Sequence, residues 1–369
     1  MRRMFIHELK GWPDFEWDDH HITTLLARVR HRQGLLCGRM SALGFDLRQE
    51  AALRSLTLEV VKSNEIEGEL LDKALVRSSI ARRLGMDIAG LLPVDRTVEG
   101  IVEMMLDATR HYDQTLTDGR LFAWHATLFP TGRSGLYKIT TGHWRDGHNG
   151  AMQVVSGPMG REQVHFTAPD AHRLAGEMSA FLHWFNTPSS HDPVLRAAVA
   201  HLWFITIHPF DDGNGRIARA ITDMQLARAD GDPQRFYSMS VQIEKEKQAY
   251  YNILERTQRG TVNITDWVVW FLECLEGALQ QAEVTLASVL KRAAFMDRIA
   301  GIVLNERQQH MILRLTDDFF GRLTSSKWAI LTKCSQDTAL RDIQDLMQKG
   351  IVTKDDMGGR STGYVLKDF

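Results

Sequence analysis

Cysteine is scarce in this chain: there are three, Cys37, Cys274 and Cys334, far apart and odd in number. They fit neither a zinc-ligand spacing nor a disulfide framework, which points to a reducing cytosol. Long apolar runs are also missing. No stretch reaches the ~20 residues of a membrane span, and the opening Met-Arg-Arg-Met-Phe-Ile-His-Glu lacks the apolar centre of a signal peptide. Nor is one sign of charge in excess. The formal net charge of −2 gives no general attraction to nucleic acid or to membranes. Histidine is plentiful, at 15 residues, but no His-x-x-x-His pair with a carboxylate partner occurs, so structural and surface roles are expected for most of them. What is present is an ordinary globular composition, 44% apolar and 24% charged, in 369 residues that allow two or three domains and a large core.

The chemistry is concentrated between His208 and Arg219, in the run His-Pro-Phe-Asp-Asp-Gly-Asn-Gly-Arg-Ile-Ala-Arg. Upstream, residues 201–207 read as the end of a buried apolar helix, which Pro209 and Gly213 should stop. Downstream, Ile217, Ala220, Ile221, Met224 and Leu226 resume helical spacing. A Gly-Asn-Gly turn that opens a helix is an anion site, since its free N–H groups and the positive end of the helix dipole converge. Arg216 and Arg219 lie three apart on one face of that helix and can reach the same anion. Asp212 is placed to hold Mg²⁺ against phosphates, and His208 lies across the turn, where it can take a proton from an incoming hydroxyl. A lone Gly-Asn-Gly would read as a surface turn; six converging polar groups read as a phosphate cradle with a metal ligand and a base.

Around it the chain is helical. Apolar spacing predicts helices over residues 22–43, 48–67, 118–129, 170–187, 192–207, 216–228 and 244–258, two or three within 70–117, and one or two over 265–299. The aromatic and acidic segment 4–20, with Trp12, Phe15 and Trp17, reads as an arm packed on the body, and 131–150 as a long loop. Residues 152–166 break the helical pattern. Gln153 to Ser156, a turn through Gly157 and Pro158, and Val164 to Phe166 make a β-hairpin that must lean on the body. From Asn305 come three short helices (307–315, 325–331, 335–349) and a second hairpin (351–354 and 363–366), the outline of a winged helix capped at Ser335. Thr338, Arg341 and Gln344 would form the exposed face of its third helix, while Lys354, Arg360 and Lys367 add positive charge. Five aspartates, Asp337, Asp342, Asp345, Asp355 and Asp356, offset that charge, so contact with DNA and contact with protein both stay open.

The core run resembles the signature of the Fic family, His-Pro-Phe-x-(Asp/Glu)-Gly-Asn-(Gly/Lys)-Arg-x-x-Arg, at every position. The resemblance covers about residues 4–300. It implies a mainly α fold, with a helical N-terminal extension (1–69), a Fic catalytic core with a β-hairpin flap (70–300) and a companion winged helix (301–369). It further implies a protein adenylyltransferase that moves AMP from ATP, with Mg²⁺, onto a Ser, Thr or Tyr hydroxyl of a target protein docked on the flap. His208 would be the general base, Asp212 the metal ligand and Asn214 a contact to the α-phosphate. Arg216 and Arg219 would meet the outer phosphates alongside Gly213 and Gly215, and Phe210 would hold the loop from the core. Val155, Ser156, Gly157 and Pro158 of the flap, with Tyr250 and Gln258, would line the nucleotide pocket. Kinase-like relatives carry lysine where this chain has Gly215. The run Ser63-Asn-Glu-Ile-Glu67-Gly68 resembles the family's inhibitory motif, (Ser/Thr)-x-x-x-Glu-(Gly/Asn), which implies that Glu67 pairs with Arg219 and blocks the γ-phosphate. AMP removal by the same site, another nucleoside triphosphate, a homodimer, and a DNA-binding regulator acting through residues 305–369 are the alternatives that the resemblance and the winged-helix outline leave open.

Overall fold

The computed structural model describes residues 4–86, 91–93, 96–148, 150–157, 161, 163–316, 319, 321–355 and 362–367. Pro158 and Arg360 therefore lie outside the described residues. The chain is mainly α, and its contacts divide it into two units, Met1–Val284 and Thr285–Phe369.

The first unit holds α1 (Asp19–Ser41), α2 (Phe45–Ile66), α3 (Lys73–Arg83), α4 (Arg96–Arg110), α5 (Asp118–Leu128), α6 (Leu174–Asn186), α7 (Pro193–Ile207), α8 (Asn214–Asp230), α9 (Met239–Lys245) and α10 (Lys247–Gln258). The long α11 (Thr265–Ile299) carries the boundary between the units. Among the described residues no helix is long and apolar enough to cross a membrane. At the centre lies α7. Every residue from Val194 to Ile207 is buried, as expected of a helix that is apolar on all sides. Asp192 accepts from Val194 N–H and Pro193 occupies the first turn, so the start of α7 is capped. The antiparallel neighbour α8 packs along it, joined through the run at 208–213. The N-terminal arm closes over the other side: Trp12 and Phe15 meet the ring of Trp203 edge-on, and Trp12 Nε1 donates to Glu177 at 2.9 Å.

Two details differ from the sequence reading. Residues 131–150 are not loop throughout, since Arg133–Ser134 (β1) and Tyr137–Lys138 (β2) pair around Gly135, whose φ is +54°. Four residues are too few for a periodic signal. The helix expected over 244–258 is two, because Glu246 leaves helical geometry between α9 and α10. The flap is present as β3 (Gln153–Ser156) and β4 (Gln163–Thr167), antiparallel with a bulge at Val154/Val155.

The second unit has its own core, built on Trp328, Met311, Ile343, Leu346 and Phe295. It contains α12 (Glu306–Thr316), α13 (Ser325–Thr332), α14 (Gln336–Gln348) and the antiparallel pair β5 (Val352–Lys354) and β6 (Tyr364–Leu366). Ser335 caps α14 by accepting from Thr338 N–H. Three of the aspartates are tied down: Asp342 to Arg307, Asp345 to Lys349 and Asp355 to Arg322.

Candidate active site

α7 ends at Ile207 because His208 turns into the left-handed region, with φ +52° and ψ +57°. That conformation is costly for a residue with a Cβ, so something must hold it. Buried Arg145 does: its backbone N–H donates to Pro209 O at 2.9 Å, its Nε donates to His208 O at 2.9 Å, and its Nη2 donates to Pro169 O. His208 Nδ1 lies 3.1 Å from Ile205 O. A carbonyl only accepts, so Nδ1 carries the proton and Nε2 keeps its lone pair. Burial pushes the His208 pKa down to about 4, and the nearby charge of Arg145 helps. The imidazole is therefore neutral across the physiological range.

The turn that follows is locked from within. Phe210 is fully buried and stacks on His125, with centroids 4.2 Å apart. Asn214 accepts from Phe210 N–H at 3.0 Å and donates to Phe210 O at 2.8 Å. Its side chain thus closes the loop. Gly213 has φ +79°, and a Cβ there would sit 2.8 Å from the Phe129 ring. The two aspartates fasten the loop to the segment after α5. Asp211 accepts from Thr140 N–H at 2.9 Å, while Asp212 accepts from Gly213 N–H at 2.6 Å and from the Ser134 hydroxyl.

Beyond the turn, α8 opens with Gly215, Arg216 and Arg219. Both guanidiniums are buried, yet Arg216 Nε and Arg219 Nη1 have no hydrogen-bond partner among the described residues. Buried donors are rarely left so, and these two sit at a helix N-terminus. The end of α2 supplies counter-charges. Glu67 Oε1 lies 2.8 Å from Arg219 Nη2, and Ser63 accepts from the same guanidinium through Oγ (2.8 Å) and its carbonyl (2.7 Å). Gly68, with φ +85°, ends the helix and lets the chain turn back. Glu69 then reaches Arg216 Nη1 at 2.7 Å, a contact the sequence did not suggest. Gly215 is needed for this, because a Cβ there would collide with Glu67 Oε1. The carboxylate lies directly on the first turn of α8.

Beside this turn lies a cavity of about 560 Å³. It is lined by Glu67, His208, Asp211, Asp212, Gly213, Asn214 and Gly215 on one side. Val155 and Ser156 of β3, and Tyr250 and Gln258 of α10, line it elsewhere. Gly157 is exposed, with φ +101°, and is not part of the lining. Tyr250 is buried, its hydroxyl 2.9 Å from His201 Nε2. Gln258 donates to Thr206 at 3.3 Å. His125 is buried with Nε2 3.2 Å from Asp212 O, and burial lowers its pKa to about 4.

Residues 115–226 match the Fic/DOC family profile, and residues 5–86 match a domain of unknown function (DUF4172). Residues 115–226 thus carry a Fic domain. A protein of Drosophila grimshawi named Protein adenylyltransferase Fic is 34% identical over 132 residues, which cover 34% of this chain and 26% of that protein. A protein of the same name from Culex quinquefasciatus is 29% identical over 222 residues, or 58% of this chain and 39% of that one. The chain thus aligns with about a quarter to two-fifths of the curated relatives' length. A crystal structure of a Fic family protein from Desulfovibrio desulfuricans G20 superposes with a TM-score of 0.51 over 94% of this chain and 96% of that one, at 22% identity, a likeness of fold alone.

Proposed function

We propose that the chain is a protein adenylyltransferase held off by Glu67. The observation that carries this is a single cavity. It is lined by a neutral His208 with a free Nε2, by the start of α8 and by Glu67, whose carboxylate pairs with buried Arg219 just past the end of α2. In the reaction a target hydroxyl attacks the α-phosphorus of ATP. A new oxygen–phosphorus bond forms, the bond from that phosphorus to the oxygen bridging toward the β-phosphorus breaks, and pyrophosphate leaves. The hydroxyl proton passes to His208 Nε2. Backbone N–H groups of residues 214 and 215 and the guanidinium N–H groups of Arg216 and Arg219 hold the phosphates, so positioning and charge neutralisation supply most of the catalysis.

Mg²⁺ suits the donor set. Each Asp212 oxygen already accepts one hydrogen bond, a carboxylate offers about four acceptor sites, and one or two carboxylates plus phosphates suffice for this ion. Asp212 would hold the ion, which when bound neutralises charge on the outer phosphates.

Glu67 inhibits by occupying Arg219 and crowding the first turn of α8, so that ATP enters with its outer phosphates displaced and its α-phosphate out of line. The target docks as an extended segment along the flap, where backbone pairing makes little demand on its sequence. The three free cysteines support a reducing cytosol as its compartment. A second use of the site, AMP removal with Glu67 activating water, is favoured by the carboxylate lining the same cavity as His208. For Thr285–Phe369 we propose a winged helix whose exposed Arg341 and Gln344 meet DNA or protein. A gel shift with random duplex at two salt concentrations separates these.

Incubation with α-labelled and γ-labelled ATP tests the main reading. Protein-bound α-label without γ-label is expected. Bound γ-label would make the chain a kinase and overturn AMP transfer.

A further inference from the structure

The flap carries a hydrogen-bonded chain that AMP transfer to a target does not use. Ser156 ends β3, His165 lies on the facing β4, and Glu255 belongs to α10. His165 Nδ1 is 2.7 Å from Glu255 Oε2, and His165 Nε2 is 2.6 Å from Ser156 Oγ. An ionised carboxylate only accepts, so Nδ1 carries the ring proton and Nε2 accepts from the serine hydroxyl. Arg259 braces the arrangement: its Nη1 is 3.1 Å from Glu255 Oε1, and its Nε and Nη2 donate to the carbonyls of His165 and Val164. The order hydroxyl, imidazole, carboxylate is the one that activates a nucleophilic serine. Ser156 is exposed, and it lines the same cavity as His208, Asn214 and Gly215. A hydrogen-bonded clasp of the flap would need no exposed hydroxyl over the phosphate cradle.

We infer that Ser156 is an acceptor hydroxyl within the chain itself, with His165 as its base and Glu255 as the group that orients His165; this rests on the AMP-transfer reading. Ser156 Oγ forms a bond to the α-phosphorus of ATP, and the bond from that phosphorus to the oxygen bridging toward the β-phosphorus breaks. Pyrophosphate leaves, and the hydroxyl proton goes to His165 Nε2, where Glu255 stabilises the resulting imidazolium. AMP then sits on β3 inside the cavity that the next ATP must enter, so the modification limits its own turnover.

The full chain bearing Glu67→Gly is incubated with α-labelled ATP and Mg²⁺ and no other protein. The labelled residue is mapped by peptide mass spectrometry, with free AMP and pyrophosphate measured alongside. Label on Ser156 is expected. Adding His165→Gln should lower it by ~10²-fold or more, and Glu255→Gln, which still accepts from Nδ1–H, by less. Conversion of ATP, or label elsewhere, with Ser156 unmodified overturns this inference alone. Label on Ser156 that ignores His165→Gln overturns the relay. No conversion of ATP overturns the inference together with the transfer reading beneath it.

Discussion

Glu67 Oε1 and Arg219 Nη2 lie 2.8 Å apart, and they join the last turn of α2 to the first turns of α8. The two partners are unequally placed. The Arg219 side chain is 2% exposed and the Glu67 side chain 31%. Burial works against the charge on Arg219, but the Glu67 carboxylate together with Tyr250 and Tyr251 leaves its pKa raised. The pair is thus a lock with one fixed half and one half that water can reach.

A stability prediction follows from that asymmetry. Glu67→Gly leaves a buried guanidinium bonded only to Ser63. The cost should be on the order of 1–3 kcal/mol, below that of a fully buried pair because Glu67 is partly solvated. The melting temperature should fall without nucleotide. ATP should restore more stability to the variant than it adds to the wild type, since its phosphates replace the lost charge. Equal ATP-induced shifts, measured by thermal melts, would place the nucleotide away from Arg219.

Glu69 should act as a weaker second latch. It pairs with Arg216 at 2.7 Å but is 47% exposed, so its hold is more easily exchanged for water. Glu69→Gln should raise AMP transfer by about twofold to tenfold, less than Glu67→Gly does. The double variant should exceed either single one, because the two carboxylates occupy different arginines. Labelled transfer by the four proteins checks this; a Glu69→Gln variant that is slower than wild type would give Glu69 a supporting role instead.

The pH profile tests His208. Its pKa is lowered by burial to about 4, so the base form is present above that value and is lost only as pH falls toward it. In the Glu67→Gly variant, kcat/KM should not break near 6.5, where an ordinary histidine titrates, but should decline at more acidic pH. His208→Ala should cost ~10²–10⁴-fold in rate and leave ATP binding largely intact. Near-normal turnover in His208→Ala would remove it from the role of base.

Arg145 should position the base rather than touch the substrate. It bridges the carbonyls of His208 and Pro169, which a point cation cannot do in the same fork geometry. Arg145→Lys should lower kcat by ~10²-fold with little change in KM, and Arg145→Ala more, since small misplacement of the reacting groups is costly. A matched loss in kcat and in folded fraction, followed by circular dichroism, would reduce Arg145 to a packing residue.

Much of this site is legible in the chain because its parts are adjacent in sequence. His208 to Arg219 places base, acids, glycines and arginines on one helix–turn–helix segment, and Ser63 to Gly68 is a short local pattern at a helix end. Apolar periodicity marks the long helices for the same reason. The rest depends on contacts between distant segments, which leave no periodic trace. Arg145 meets His208 across a segment that reads as loop. Ser134 reaches Asp212 from a two-residue strand, and Glu69 meets Arg216 only because Gly68 turns the chain back. Asn214 shows the limit from the other side. Its place in the motif is plain from the sequence, while the closing of the turn on Phe210 by its side chain is visible only in the structure.

The central claim is that the site transfers AMP and that Glu67 holds it off. It is tested most directly by comparing wild type and Glu67→Gly in one assay of protein-bound α-label from ATP, with AMP-modified protein supplied separately as a second substrate. The account predicts a gain on the order of 10²-fold in labelling by Glu67→Gly, because freeing Arg219 lets the α-phosphate come into line. Equal labelling by the two proteins, with AMP removal also unchanged, would contradict it.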